Sequence, residues 1–181
     1  MAWTFNIIYT PGTVYYLTFF VTSLLRWSNC SFRLVANGCS PAEEYILRSF
    51  CQQDVRLEFY RLPTDQVMEH GLALNHLQSL TQAEKFCFMD SDIFATGEFI
   101  EQFLPLRQEH VAVFSGSPVW CKTEDQVSYT QNPIMAGEFN RTETGICLGN
   151  TYFAIYENAV LRSFRKKHGI GFDRLNWRKL P

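Results

Sequence analysis

The sequence predicts an α/β domain: a mostly parallel sheet flanked by helices. Three observations predict it. Apolar strand-like runs alternate with helical patterns through the first half of the chain. Polar or flexible residues close three of those runs at their carboxyl ends: Tyr9-Thr10-Pro11, Asn37-Gly38 and Asp90-Ser91-Asp92. Hydrophobic residues make up 46% of the 181 and charged residues 19%, a balance that supports a packed core and argues against disorder.

The elements follow in order. "WTFNIIYT" reads as a strand, closed by Pro11-Gly12. Residues 13 to 27, "TVYYLTFFVTSLLRW", read as a helix, because Thr18, Thr22 and Arg26 recur every fourth residue and draw a polar stripe. The stretch is shorter than the ~20 residues needed to span a bilayer. No basic residue precedes it, as a signal peptide would require. A helix packed on a sheet is the first reading, and contact with a membrane surface the second. "SFRLVANG" is a second strand. Ser40 reads as the N-cap of "PAEEYILRSFC", with Pro41 at the first helical position and Glu43-Glu44 in the first turn. "VRLEFYRLP" is a third strand. Thr64 or Asp65 is expected to cap a long helix through about Thr81, with Val67, Leu74 and Leu77 on one face. "KFCFM" is the fourth strand, and the two aspartates lie at its carboxyl end.

The second half is less regular. "HVAVFSG" and "ICLGNTYFAIY" read as strands and "NAVLRSFRKKH" as a helix. His168, beside "RKK", suits a basic helix end. Residues 115 to 145 show weak periodicity, and stretches of that length are commonly functional or disordered. With no internal repeat or linker, residues 1–181 read as one domain.

Composition bounds the function. A formal net charge of −2 gives no sign of a nucleic-acid partner. Six cysteines without a CxxC pair, several inside apolar runs, read as buried free thiols of a reducing compartment rather than three disulfides. "NCS" and "NRT" match the glycosylation triplet, a pattern that chance often supplies.

The stretch "FCFMDSDIFATGEF" carries the chemistry. In extended chain, Asp90 and Asp92 point to one side and Ser91 to the other. Two such carboxylates repel unless a proton or cation lies between them. Mg²⁺ or Mn²⁺ suits them, because hard ions take one or two carboxylates together with substrate phosphates. Turn aspartates bound to backbone amides are the plainer alternative. An EF-hand loop fails, because Phe94 and Ala95 stand where an acid and a glycine are needed. A haloacid-dehalogenase-type phosphatase would have Thr or Val four residues after the first Asp, where Phe94 stands, and would place its motif near the chain start. A nucleotidyltransferase would need a Gly-rich basic loop after the first strand, and "YTPGTVYY" has no Lys or Arg.

Three motifs resemble those of GT-A-fold glycosyltransferases, and most closely the large inverting nucleotide-sugar transferase family of bacterial polysaccharide type. They are "LVANGCS", the block "HGLALNHLQSLTQAEKFCFMDSDIF", and "GNTYFAIYENAVLRSFRKKHGIGFD". Their order and spacing extend the resemblance over roughly residues 4 to 176. The resemblance implies that residues 1–94 form a nucleotide-sugar-binding half and 95–181 an acceptor-side half. It implies that Asp90 and Asp92 hold Mn²⁺ or Mg²⁺ and, through it, the donor diphosphate, with Ser91 between them. Tyr9, Thr10 and Pro11 would flank base and ribose, and Asn37 would sit near the base. His70 and Asn75 would lie beside the donor sugar or nucleotide.

The sequence departs from the family pattern twice. Ala36 stands where an Asp often contacts the base. The acidic pair that usually follows the "GGFD" turn and supplies the catalytic base does not appear before Pro181. Asp173 is the nearest candidate by motif, with Glu138 and Glu143 in the irregular stretch as others. Trp120 and Tyr129 are candidates for stacking on acceptor sugar. The expected function is metal-dependent transfer of a sugar from a nucleoside-diphosphate donor to a hydroxyl on a glycan, lipid or protein. The alternatives are a non-catalytic nucleotide-sugar-binding or interaction module and a DxD phosphatase using Asp90 as nucleophile. The expected location is cytoplasmic, with peripheral contact at the inner face of the membrane.

Overall fold

The computed structural model describes residues 3–105, 110–118, 120–123, 126–128, 149–169 and 171–173. Strands β1 (Thr4–Tyr9), β2 (Ser31–Ala36), β3 (Leu57–Arg61) and β4 (Lys85–Met89) run parallel. Strand β5 (Ala112–Pro118) and strand β8 (Gly149–Glu157) complete a six-stranded sheet ordered β3-β2-β1-β4-β8-β5. β8 is antiparallel to both its neighbours, β4 and β5. The mostly parallel sheet flanked by helices is therefore present.

Helices α1 (Leu17–Arg26) and α2 (Pro41–Cys51) contribute Leu17, Val21, Leu24, Leu47 and Phe50 to the core on one sheet face. From β1 that core takes Phe5, Ile7 and Tyr9. Helix α3 (His70–Leu80) packs Ala73, Leu74 and Leu77 on the other face, against Ile8, Phe86 and Phe88. Helix α4 (Asn158–His168) joins them through Leu161. With both faces covered, β4 is buried at all five positions, which is why it reads as a continuous apolar run. Each such large side chain contributes about 1.5–3 kcal/mol on burial. The one charge in β4, Lys85, is buried but pairs with Glu157 directly across the β4–β8 ladder and with Glu84.

The structure corrects three expectations. Helix α3 starts at His70, not at Thr64 or Asp65. Thr64 folds back on the Gln66 main chain through its hydroxyl, and both backbone groups of Met68 are bound by the Asn37 side chain at 2.8 Å each. Met68 therefore cannot enter a helical ladder, and Val67 stays exposed. The apolar helix expected over residues 13 to 27 begins with a short 3₁₀ turn, Val14–Tyr16, and is α-helical only from Leu17. Part of the stretch from 115 to 145 is regular: β6 (Trp120–Thr123) and β7 (Gln126–Ser128) pair as an antiparallel ribbon. Glu138, Glu143 and Tyr129 lie outside the described residues.

Among the described residues, no helix is long and apolar enough to cross a membrane. Cys30, Cys39, Cys51 and Cys87 are free thiols. Burial pushes up the pKa of Cys30, Cys39 and Cys51, the last to about 11, so these sulfurs stay protonated and unreactive near neutrality.

Candidate functional site

Asp90 follows the last residue of β4 and continues its ladder by donating its N–H to the Tyr152 carbonyl of β8 at 2.8 Å. Ser91 and Asp92 form a turn, so the chain is not extended through the DxD. The turn, rather than strand alternation, sets the relation of the two acids. Asp90 is half-buried and Asp92 exposed. Burial first, and the neighbouring Asp92 charge second, raise the Asp90 pKa to about 6. The two carboxylates thus feel one another across the turn.

The sequence profile of Glycosyl transferase family 2 matches residues 15–168. The chain belongs to this family. Its fold is similar to that of TarS from S. aureus, residues 1–349, with a TM-score of 0.61 at 16% identity over 90% of this chain and 49% of that one. It is similar to the glycosyltransferase GlyE of Streptococcus pneumoniae, with a TM-score of 0.52 at 12% identity over 93% and 40% of the two chains. It is also similar to a 4-diphosphocytidyl-2C-methyl-D-erythritol synthase of Anaerococcus prevotii, with a TM-score of 0.58 at 14% identity over 97% and 81%. The chain spans about half the length of the TarS segment and less of GlyE. No curated protein sequence matches it.

In this family 2 chain, the loops at the carboxyl rim are braced by buried polar side chains. Glu43 completes a capping box on α2: its Oε2 accepts from the Ser40 N–H and hydroxyl, both at 2.8 Å. Its Oε1 accepts the Gly12 N–H of the β1–α1 loop at 2.7 Å. These bonds, Gly12 foremost and then Ser40, hold the Glu43 pKa below its usual value. Asn37 ties the end of β2 to Met68, and Gly38 makes that approach possible: its φ is +68°, and a Cβ there would lie 2.6 Å from the Val67 nitrogen. Asn75, only 6% exposed, accepts the Phe172 N–H and donates to the Asp173 carboxylate. Gly71, one turn earlier on α3, faces the same turn; a Cβ there would lie 2.3 Å from the Phe172 carbonyl oxygen. On the far side, a Cβ at Gly171 would strike the Asn75 amide at 2.4 Å.

The residues expected beside the donor each have surroundings of their own in the fold. The Tyr9 side chain is fully buried in the core and presents no ring to a base. Its carbonyl is already engaged by the Asn37 N–H and the Cys39 thiol. Thr10 is half-buried and bonds Thr13 within the turn, while Pro11 is exposed at the rim. Asn37 and Asn75 each use an amide N–H and the amide oxygen on Met68 and on the 172–173 turn, so both shape the rim. His70 keeps exposed surface, yet its ring lies edge-on to Phe88 at 6.3 Å, and desolvation there lowers its pKa. His70 therefore sits against the α3 face of the sheet, through Phe88. Asp173 is exposed, with one oxygen held by Asn75.

Sequence reading placed Ser40 correctly as the N-cap of α2 and Glu43 in its first turn, and "SPAE" carries the capping-box signal. It missed the second duty of Glu43 on Gly12, because a contact 31 residues away leaves no local pattern. Among the described residues no three or more His, Cys, Asp or Glu side chains converge to hold a metal. Two carboxylates, Asp90 and Asp92, stand together at the carboxyl end of β4.

Proposed function

We propose that this chain binds a nucleoside-diphosphate sugar through a divalent cation at Asp90 and Asp92 and transfers the sugar to an acceptor hydroxyl. The observation that carries the proposal is the carboxylate pair. It stands at the carboxyl end of a central strand, where ligands of open α/β sheets bind, in a member of Glycosyl transferase family 2. The pair suits Mn²⁺ or Mg²⁺. Both donors are carboxylate oxygens, and the Asp90 pKa is raised by burial first and by the Asp92 charge second, a charge that a cation would offset. Two acids leave most of the coordination sphere to phosphate oxygens and water, as magnesium sites in phosphate chemistry do. Bound there, the ion would neutralise charge building on the departing diphosphate. Asp90, half-buried, would supply the fixed ligand, and Asp92 the exposed one that meets the donor. The Glu43, Asn37 and Asn75 braces would keep the surrounding loops in place before the donor arrives.

A binding module without transfer is the second reading. The observation favouring it is that Asp173, the carboxylate expected to act as base, already accepts a hydrogen bond from Asn75 and so secures its own turn. Family membership supports a transferase over a DxD phosphatase.

Calorimetry of the Asp92→Asn variant tests the metal bridge. Nucleoside-diphosphate affinity should fall at least about tenfold with Mn²⁺ present, close to 1.4 kcal/mol, and change little without it. Equal loss in both conditions would contradict the proposal. Assays of donor hydrolysis and of transfer to an acceptor panel then separate transferase from binding module.

A further inference from the structure

A cavity of about 290 Å³ begins at Ile93, the residue after Asp92. Its lining includes Leu24 of α1, Phe94, Glu98, Gln102, and Tyr152 and Phe153 of β8. The walls are fixed from several directions. Ser23 accepts the Ala95 N–H at 2.9 Å, pinning the loop after the DxD onto α1. Phe103 stacks on Phe153 at 4.8 Å, and Phe99 meets the same ring edge-on. Phe94 stacks on Phe19 at 4.5 Å with an interplanar angle of 16°. Yet Phe94 is 45% and Phe19 60% exposed, so this aromatic pair stands open to solvent beside the cavity.

The lining selects a ligand class. Aromatic faces suit the C–H face of a sugar ring. Glu98 and Gln102 offer a carboxylate and an amide to hydroxyls, and Gln102 is already oriented by donating to the Glu98 carbonyl at 3.3 Å. No Lys or Arg lines the cavity, while Glu98 does, so a phosphate or an anionic headgroup would meet repulsion. The volume falls just under the ~300 Å³ at which pockets for drug-sized ligands begin, which fits one small ring. Two lining residues join the cavity to the acids: Ile93 follows Asp92 in the chain, and the Tyr152 carbonyl accepts the Asp90 N–H.

We propose that this cavity is the acceptor subsite and seats a neutral pyranose ring, stacked on Phe94 and hydrogen-bonded through its hydroxyls to Glu98 and Gln102. The assignment rests on the transferase reading above. It is tested on the full chain by saturation-transfer NMR with the methyl glycosides of glucose, galactose and N-acetylglucosamine. Nucleoside-diphosphate binding with Mn²⁺ is measured in parallel. At least one glycoside should bind the unaltered protein. Phe94→Leu, which keeps apolar bulk but removes the ring, and Glu98→Gln should each weaken that binding several-fold. Failure of all three glycosides to bind, or binding that neither substitution changes, would overturn the subsite. An equal loss of nucleotide affinity in the variants would mean general damage to the loop and would overturn it too. Absence of metal-dependent nucleotide binding by the unaltered protein would instead overturn the transferase reading, and the acceptor role with it, whatever the glycosides do.

Discussion

Asp90 shows how one residue can be placed against its own preference. An ordinary aspartate ionises near pH 3.9. Burial, assisted by Asp92, delays Asp90 to about 6. The folded state therefore holds this proton more tightly than the unfolded state does. Below about pH 3.9 both states are protonated and Asp90 costs nothing. Between there and about pH 6 stability falls as pH rises, and above pH 6 the whole penalty is present. Asp90→Asn should therefore stabilise the metal-free protein at pH 7.5, by up to about 2 kcal/mol, and should make no difference at pH 3.5. On the proposed function, Mn²⁺ with a nucleoside diphosphate should raise the Tm of the unaltered protein, and the same variant should lose that increase. Thermal melts at the two pH values, with and without both ligands, check the pair of effects. Nucleotide affinity should also weaken as pH falls through 6, because a protonated Asp90 is a poor ligand.

At the scale of elements, the rim is held by contacts between segments distant in sequence. Helix α3 and the 171–173 turn fit together because Gly71 and Gly171 leave no side chain between them and Asn75 joins both. Gly71→Ala drives a methyl into the Phe172 carbonyl, and Asn75→Ala leaves the part-buried Phe172 N–H without its acceptor and releases Asp173. Each should cost about 1–3 kcal/mol in urea unfolding. Asn75→Asp should be no milder than the alanine, because it sets one carboxylate against another. The α2 cap separates two functions in a similar way. Ser40→Ala removes half the capping box, at about 1 kcal/mol, but leaves Glu43 on Gly12. Glu43→Ala also frees the β1–α1 loop and should reduce nucleotide affinity more than Ser40→Ala does. The Glu43 pKa is depressed in the fold, so its contribution is present above the usual glutamate pKa and is lost as pH falls through the lowered value.

At the scale of the molecule, β8 joins the halves. It lies between β4 and β5, antiparallel to both, and brings Phe153 against Phe5 of β1 at 5.2 Å and Phe103 at 4.8 Å. One side chain from residue 153 thus packs on the first strand and on the segment after the DxD. Phe153→Ala should cost about 3–5 kcal/mol and lower the urea midpoint in one transition seen alike by fluorescence and circular dichroism. Two separated transitions would mean that the halves fold independently. Such a variant would also widen the cavity beside Asp92.

The sequence by itself determined the parallel frame. Apolar runs of five or six residues, the "SPAE" helix start and the acids after "KFCFM" are local patterns, and each of these elements formed where its pattern stood. Local pattern also carried the family resemblance. What tertiary structure alone decided is how polar side chains at the rim are used. Asn37 and Asn75 look like ligand contacts in sequence, yet their amides serve backbone groups 31 and 97 residues away. Tyr9, expected to flank base and ribose, buries its side chain in the core. The start of α3 shifted for the same reason, since Asn37 took the Met68 backbone from the helix. Hydrophobic periodicity is written along the chain because each element must bury one face. The partner of a buried amide is set by whichever backbone the fold brings within 3 Å, and no local pattern records that.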